Sequence, residues 1–348
     1  MDLDLTPEQE LLRESVRGIC ARHAARDVVR QLEDDPIGYP EKLWLALGEL
    51  GIADMRGLDM LDAVVVYQEL GRALAPSPHF VSSVLSAGLV ARAGGEKPVD
   101  AIYTPAWLEP EGGFGPKGIT TRVDSGGRVT GIKRHALFAK AAERLVVVAR
   151  DEADGEIRYV LVDPSADGVA LTQQHTIGSD AQYRVDLDGA AGEVLPGAGW
   201  AAWDETMHDG IILLAAQAVG GARYALDITV QYAKDRHQFD KPLGAFQALA
   251  HYLADGVTTV DGAETLVYEA AWARDNDRSV ARLAPMAKLF ACKTFRDVTA
   301  MAQQIFGGVG FTVEFDIQLY FRRAKQLQIS WWNDRYLEEL IAGDILDR

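Results

Sequence analysis

Cysteine is scarce in this sequence, and its scarcity excludes two kinds of protein. The chain has only two cysteines, Cys20 and Cys292, with no CxxC pair and no metal-ligand spacing. A disulfide framework and a cysteine zinc site are therefore excluded, and we expect no other metal site. Two unpaired thiols fit a reducing compartment.

Positive charge is also in short supply. The chain has 35 Lys and Arg against 51 Asp and Glu, so its formal net charge is −16. Such an excess of acid argues against a nucleic-acid surface and against a polybasic membrane anchor. A local cluster of basic residues can nevertheless bind an anionic ligand in an acidic protein.

Long apolar runs are missing as well. No stretch approaches 18 uninterrupted apolar residues, so we expect no membrane span. The first ten residues are acidic and lack an apolar core, which argues against a secretory signal. With 48% hydrophobic and 25% charged residues, the composition is typical of a folded protein, and we expect a cytoplasmic one.

Helical periodicity dominates the first part of the chain. Thr6, Pro7 and Gln9 form the N-cap, first-turn and capping-box pattern that starts a helix. Further helices are predicted at three places: Pro40–Gly51, Leu58–Leu74 and Ser82–Ala93. The pattern predicts a helical N-terminal domain over residues 1–98.

The sequence pattern changes over residues 99–198, where short strand-like runs alternate with turn residues. The clearest strands are predicted at Arg144–Arg150, Tyr159–Asp163 and Gln182–Asp188. Gly126-Gly127 and Asp154-Gly155 are suitable hairpin turns. This region is predicted to form a small antiparallel β-barrel or sandwich.

Helical periodicity returns over residues 199–348, in longer segments. Helices are predicted at Ala202–Asp235, Phe246–Asp275, Ala281–Phe306, Val313–Ile329 and Arg335–Ile345. Short breaks between long helices predict an up-and-down bundle. The fold class is therefore α+β, mainly α, with three domains in the order helical, β and helical.

Two segments carry the strongest chemical signal. The first is Tyr232–Leu243 with Phe246-Gln247, where a long helix ends in a basic, aromatic turn that contains Arg236. The second is Gln303–Phe311, in which three glycines follow a helix. Taken separately, Arg236 could be a solvated charge near a helix C-terminus, and the glycines could be an ordinary C-cap.

Together, and in this order, the two segments resemble the signature of the flavin-dependent acyl-CoA dehydrogenase family. Its R-x-x-F-G-x-x-L motif is similar to Arg236–Leu243, with Asp240 in place of the usual glycine. Its Q-x-x-G-G-x-G motif is similar to Gln304–Gly310, and a downstream R-x-A-K-like segment matches Arg323-Ala324-Lys325. The resemblance extends over essentially the whole chain, more loosely in the β region.

The resemblance implies the acyl-CoA dehydrogenase fold, a dimer-of-dimers assembly and an FAD cofactor between subunits. Arg236, Gln238 and Phe239 would contact the pyrophosphate and adenosine region from one subunit. Gln304, Gly307 and Gly308 would contact the ADP part of the same FAD from the neighbour. An arginine fork suits a diphosphate, and glycines leave room for it. An acyl-CoA thioester would be the substrate, and an electron-transfer flavoprotein or similar protein the acceptor.

The middle domain departs from the family pattern. The family's T-E-P-x-A-G-S-D loop is replaced by Trp107–Gly113, which lacks the Ser-Asp end. Alignment through Gly131 and Lys133 places Leu137 where the family has a threonine or serine near the flavin N5 edge. Polar partners of flavin and substrate are therefore missing there.

The departure at the catalytic base is larger. The family removes the α-proton of the thioester with a glutamate, while a hydride leaves for the flavin. Trp331 occupies the usual glutamate position and Gly210 the alternative one, so neither position holds an acid. Asp209 is one residue from the alternative position, and Glu205 and Asp334 are other nearby carboxylates. Asp209 is therefore the candidate base, although it could equally be a solvated or capping aspartate.

Three interpretations follow. The chain could be an FAD-dependent acyl-CoA dehydrogenase with an unusual base, active in β-oxidation as a homotetramer. It could instead be a noncatalytic structural subunit of a heterotetramer, of the kind associated with steroid side-chain degradation, that completes the FAD site of a homologous catalytic partner. A third possibility is a family member recruited to a different flavin oxidation.

Overall fold

The computed structural model describes residues 4–55 and 57–346. The first three residues of the acidic N-terminus, part of the segment from which no secretory signal is expected, lie outside that range. The chain forms two compact units. One comprises Met1–Val29, Gly57–Ala75 and Ile211–Arg348, and the other comprises Arg30–Arg56 and Pro76–Gly210. The domain boundaries at residues 98/99 and 198/199 stay a prediction.

Helices form most of the described chain. In order they are α1 (Pro7–His23), α2 (Arg26–Gln31), α3 (Glu41–Glu49), α4 (Met60–Ala73), a π-helix (Phe80–Ser86), α5 (Ala87–Arg92), α6 (Ala201–Asp235), α7 (Gln247–Asp275), α8 (Leu283–Phe306), α9 (Ile317–Ile329) and α10 (Asp334–Leu346). The capping box is present, because Gln9 N donates to Thr6 Oγ1 and Thr6 N donates to Gln9 Oε1.

Glycine allows two of these helices to cross closely. Gly71 on α4 faces the backbone of Gln217 on α6, and Gly220 on α6 faces the backbone of Gln68 on α4. A Cβ atom at either glycine would overlap the opposite backbone. The packing of α4 on α6 therefore depends on both glycines.

The strands of the main sheet all lie between residues 103 and 198. They are β1 (Tyr103–Ala106), β2 (Arg122–Val123), β3 (Arg128–Leu137), β4 (Arg144–Asp151), β5 (Ile157–Val162), β6 (Val169–Gln174) and β7 (Gln182–Ala198). Strand pairing runs β4–β2–β3–β7–β5 and returns to β4, which closes a barrel; β1 joins at β4 and β6 at β7. The long β7 pairs with β3 and β6 through its first half and with β5 through its second.

Two strand predictions need correction. The barrel is not purely antiparallel, because β1 and β2 both pair with β4 in parallel. Strands also occur within residues 199–348, which are predicted to be helical, because a two-residue ladder joins β8 (His237–Gln238) to β9 (Lys241–Pro242). Both features depend on how distant or very short segments meet, which periodicity does not report.

One helix has the length and composition of a membrane span. This is α6, whose most apolar window has a mean hydropathy of 1.4. In the structure 72% of that window is buried, a pattern that the core helix of a soluble protein also gives.

Candidate cofactor and acyl sites

The first predicted cofactor segment forms a strained hairpin after α6. The two turn residues between β8 and β9, Phe239 and Asp240, have φ values of 55° and 61°. Two consecutive left-handed residues are typical of a type I′ turn, which prefers Asn-Gly or Asp-Gly. Aspartate tolerates this conformation, whereas it is unfavourable for the bulky Phe239. The backbone here is held in a costly conformation at a position that carries an aromatic ring.

This hairpin presents its functional groups to solvent. Arg236 and Gln238 are exposed, and the Phe239 side chain is 86% exposed. Within the part of the chain that the structure describes, no carboxylate pairs with Arg236. An unneutralised guanidinium beside an exposed ring is a surface suited to an anionic, partly aromatic ligand.

The second predicted segment is an open glycine turn at the end of α8. Gly307 has φ 65° and ψ −143°, a conformation that is almost restricted to glycine. Gly308 and Gln304 are exposed, and a Cβ atom on either glycine would meet nothing within 4 Å. The backbone of this turn is therefore accessible for close approach by a ligand.

Aromatic stacking brings the two segments to the same end of the unit. The Tyr232 ring on α6 stacks on the Phe306 ring at the end of α8, with centroids 4.1 Å apart and planes 13° apart. Arg236 lies one turn beyond Tyr232, and Gly307 directly follows Phe306. Each segment thus offers a feature that suits a dinucleotide such as FAD, an exposed guanidinium in one and accessible glycine backbone in the other.

The usual base position lies in a turn between α9 and α10. Trp331 and Trp332 both have left-handed backbones, with φ values of 51° and 70°. Trp331 is 7% exposed and Trp332 is fully buried. An indole N–H donates a hydrogen bond but accepts no proton, so Trp331 has no group that could act as a base.

A buried lysine lies behind this turn. Lys288 on α8 is fully buried, and its Nζ donates to Leu327 O at 3.1 Å and to Trp332 O at 2.8 Å. Burial lowers the pKa of Lys288, although Cys292 and Asp334 oppose the shift. At the predicted base position this chain therefore has two buried indoles with a buried lysine behind them. This lysine was missed from sequence because it lies on the regular apolar face of a helix.

The alternative base position is closely packed. An added Cβ atom at Gly210 would lie 2.8 Å from Leu85 Cδ2 and 3.5 Å from the Phe80 ring, both in the π-helix. Asp209, the candidate base, instead accepts a hydrogen bond from Arg92 Nη2 at 2.6 Å. Arg92 also contacts Glu205 at 3.3 Å. The Asp209 carboxylate is therefore already engaged by an arginine of α5.

The altered loop of the β region is anchored by a buried ion pair. Glu109 lies 2.7 Å from Lys133 Nζ, and the exposed fractions of the two side chains are 4% and 0%. Burial lowers the pKa of Lys133 to about 8 although Glu109 opposes it. Burial also opposes ionisation of Glu109, but Lys133 and hydrogen bonds from Thr120 and Thr121 outweigh it and lower the pKa of Glu109.

The strand that ends at Leu137, β3, contains a histidine that the sequence analysis missed. His135 has φ 55°, and its Nδ1 lies 2.7 Å from Gln182 Oε1. Gln182 Nε2 in turn donates to Asp180, so its oxygen faces the ring and the histidine Nδ1 carries the proton. Leu137 offers no side-chain donor, and its carbonyl accepts from Thr104 Oγ1 at 2.6 Å. The only sequence signal for His135 was its closeness to Leu137.

Comparison with known proteins identifies the family. The acyl-CoA dehydrogenase N-terminal domain model matches residues 6–102, and the C-terminal domain model matches residues 197–343. Acyl-CoA dehydrogenase IpdE2 of Mycolicibacterium smegmatis is 31% identical over 333 residues, covering 92% of this chain and 93% of that protein. This chain belongs to the acyl-CoA dehydrogenase family. It is therefore an FAD-dependent oxidoreductase by family, and the predicted fold class is confirmed.

Two solved structures are also similar across nearly the full length. The ChsE4-ChsE5 complex from Mycobacterium tuberculosis matches with a TM-score of 0.89 and 25% identity, covering 100% of both chains. The Tcur3481-Tcur3483 steroid ACAD matches with a TM-score of 0.87 and 27% identity, covering 98% of both chains.

Proposed function

We propose that this chain is the noncatalytic, base-lacking subunit of a heteromeric FAD-dependent acyl-CoA dehydrogenase. The observation that carries the proposal is the absence of an acid at both base positions, where the chain has Trp331 and Gly210. When bound, FAD supplies the acceptor for the β-hydride of the thioester. Loss of the α-proton still needs a group with a free lone pair, and neither residue has one.

The packing around both positions supports this proposal. Both positions are closely packed. Trp331 lies buried in a strained turn, and Leu85 fills the space beside Gly210. Any side chain at position 210 would require the Leu85 side chain to shift. The surroundings are therefore adapted to the absence of a base.

The cofactor residues support a subunit that still binds FAD. We propose that Arg236, Gln238 and Phe239 contact the pyrophosphate and adenosine region of one FAD. Gln304, Gly307 and Gly308 would contact the ADP part of an FAD shared with the neighbouring subunit. Their exposure in the single chain supports a ligand that lies between subunits.

The names of the similar proteins support the partner and the substrate class. Because one is named as the ChsE4-ChsE5 complex and the other as the Tcur3481-Tcur3483 steroid ACAD, we propose a heterotetramer with a homologous, glutamate-bearing subunit. Its substrate would be a steroid or another bulky acyl-CoA thioester. Electrons would pass from the flavin to an electron-transfer flavoprotein or similar acceptor. The assembly would act in the cytoplasm, with α6 as a core helix.

The second candidate is a competent dehydrogenase that uses Asp209 as its base. One observation favours it: Asp209 is adjacent to the alternative base position on α6. Against it stands the 2.6 Å contact with Arg92, which already engages one oxygen of the carboxylate.

Turnover of steroid-CoA and acyl-CoA thioesters with an artificial electron acceptor separates the two functions. The isolated chain should be inactive, and a glutamate-bearing homologue should restore turnover that Asp209→Asn leaves unchanged. A positioned base contributes about 10²–10⁴-fold, so the contrast is large. Robust turnover by the isolated wild type that Asp209→Asn abolishes would instead establish Asp209 as the base.

A further inference from the structure

The turn from α9 to α10 places two consecutive bulky residues in an unfavourable backbone conformation. Trp331 and Trp332 are both bulky and both left-handed, a conformation that L-residues other than glycine rarely adopt. Such backbone persists only where the surrounding structure determines it. Something in this unit must therefore hold the turn in place.

The buried ammonium of Lys288 meets that requirement. It forms no salt bridge within residues 4–55 and 57–346, and the loss of water around it is offset by two carbonyl acceptors together with the nearby Cys292 and Asp334. These carbonyls, Leu327 O and Trp332 O, lie on the two sides of Trp331 in sequence. Each side of the interaction needs the other, because the carbonyls solvate the ammonium and the ammonium fixes their positions.

Contacts across the turn hold its two helices together. Gln328, in the last turn of α9, donates through Nε2 to Asp334 Oδ2, the first residue of α10. Lys325 Nζ donates to Gln328 Oε1 at 2.9 Å and so fixes the amide orientation. Trp332 packs edge-on against Tyr336, with ring centroids 5.3 Å apart. These contacts fix the two ends of the turn, whereas Lys288 binds a carbonyl within it.

We infer that Lys288 is a positioning residue that locks the Trp331–Trp332 turn from behind, so that Trp331 closes the acyl site of this subunit to thioesters. The inference rests on the proposed function, in which this site does no chemistry. It adds a residue on another helix, α8, that keeps the site closed. Without the ammonium, two buried carbonyls lose their donor and the turn is free to leave the left-handed conformation.

Fluorine NMR of the full-length protein in its purified assembly tests the positioning role. Seven tryptophans would be labelled with 5-fluorotryptophan, and Trp331→Phe assigns the Trp331 resonance. Lys288→Met should shift or broaden that resonance while the protein stays folded by circular dichroism. The matched control is Lys293→Met, on the same helix but exposed and paired with Asp297, which should leave the resonance unchanged. An unshifted Trp331 resonance in Lys288→Met would overturn the inference.

A second variant covers the risk that Lys288→Met does not fold. Lys288→Arg keeps a buried donor, so its Trp331 resonance should stay at the wild-type position. A displaced resonance in folded Lys288→Arg would contradict a role based on donation to the two carbonyls.

Thioester binding tests the closure itself. Wild type should bind a nonreactive acyl-CoA thioether at the sites of its own subunits at least tenfold more weakly than Trp331→Ala does, as measured by calorimetry. Where a partner subunit is present, its acyl site would first be saturated with a nonreactive ligand. Equal affinity of wild type and Trp331→Ala would overturn closure by Trp331. No turnover is measured, so this result is independent of whether the chain is catalytic.

Discussion

Two regions of the helical unit differ in which features of the family they retain. The hairpin around Phe239 and the accessible turn at Gly307-Gly308 retain the cofactor motif, and among the described residues no carboxylate pairs with Arg236. The Trp331–Trp332 turn is buried, strained and tied to a buried lysine. Both regions use left-handed residues, yet one presents its ring to solvent and the other packs its rings inside.

The difference shows that strain alone does not indicate an active site. At Phe239 the strained backbone holds an exposed group that needs an external partner. At Trp332 it is offset by burial and hydrogen bonds within the chain. The contrast fits a subunit that still contributes to FAD binding but has filled the place of the base.

Matched aromatic truncations should give the largest difference between the two regions. Trp332→Ala removes a fully buried side chain and should lower the free energy of unfolding by about 3–5 kcal/mol. Phe239→Ala removes an exposed ring and should change it by less than about 0.5 kcal/mol. Chemical denaturation of both variants measures these values. Similar losses in the two variants would contradict the division into a closed and an open region.

Acid should distinguish a buried histidine from one in the open hairpin. His79 is buried, its Nε2 lies 2.6 Å from Ile52 O, and burial lowers its pKa to about 4 from 6.5. Between these values the unfolded chain binds more protons, so stability is complete above pH 6.5 and is lost as the pH falls towards 4. The loss should reach about 3 kcal/mol.

Denaturation curves from pH 7 to pH 4 check this prediction. His79→Gln should flatten the acid limb, because the amide can still donate to Ile52 O but does not titrate. His237→Gln, a change of an exposed residue in the hairpin, should leave the profile as in wild type. An unaltered acid limb in His79→Gln would show that other groups cause the loss.

Removal of Arg236 should affect the cofactor and not the fold. Arg236→Ala should weaken FAD binding at least tenfold, which corresponds to about 1.4 kcal/mol, because charge-assisted hydrogen bonds to the diphosphate are lost. The control is Arg335→Ala, a change of an arginine that is 87% exposed and paired with Glu339 on α10. Titration of the FAD-free assembled complex with FAD measures both, and equal affinities would show that Arg236 does not contact the diphosphate.

Much of the fold was predictable because local patterns dictate it. Helical spacing and the Thr6–Gln9 capping box predicted the start of α1, and the long C-terminal helices begin and end within a few residues of their predicted positions. Turn glycines predicted the hairpins of the β region. The parallel pairing of β1 with β4 was not predictable, since it joins segments about 40 residues apart.

The candidate site was less predictable because its decisive features depend on packing. The absence of an acid at positions 331 and 210 is visible in the sequence. The left-handed backbones of Trp331 and His135, the burial of Lys288 and the pairing of Asp209 with Arg92 are not. Each arises where two elements that are distant in sequence meet, and no local pattern reports it.

Native mass spectrometry of the complex purified from its own host tests the central claim most directly. The proposed role predicts a tetramer that contains this chain and a homologous, glutamate-bearing chain in equal numbers, with FAD bound only in the assembled complex. The isolated chain should remain colourless. A homotetramer of this chain alone, yellow with a full complement of FAD and active on acyl-CoA thioesters, would contradict it.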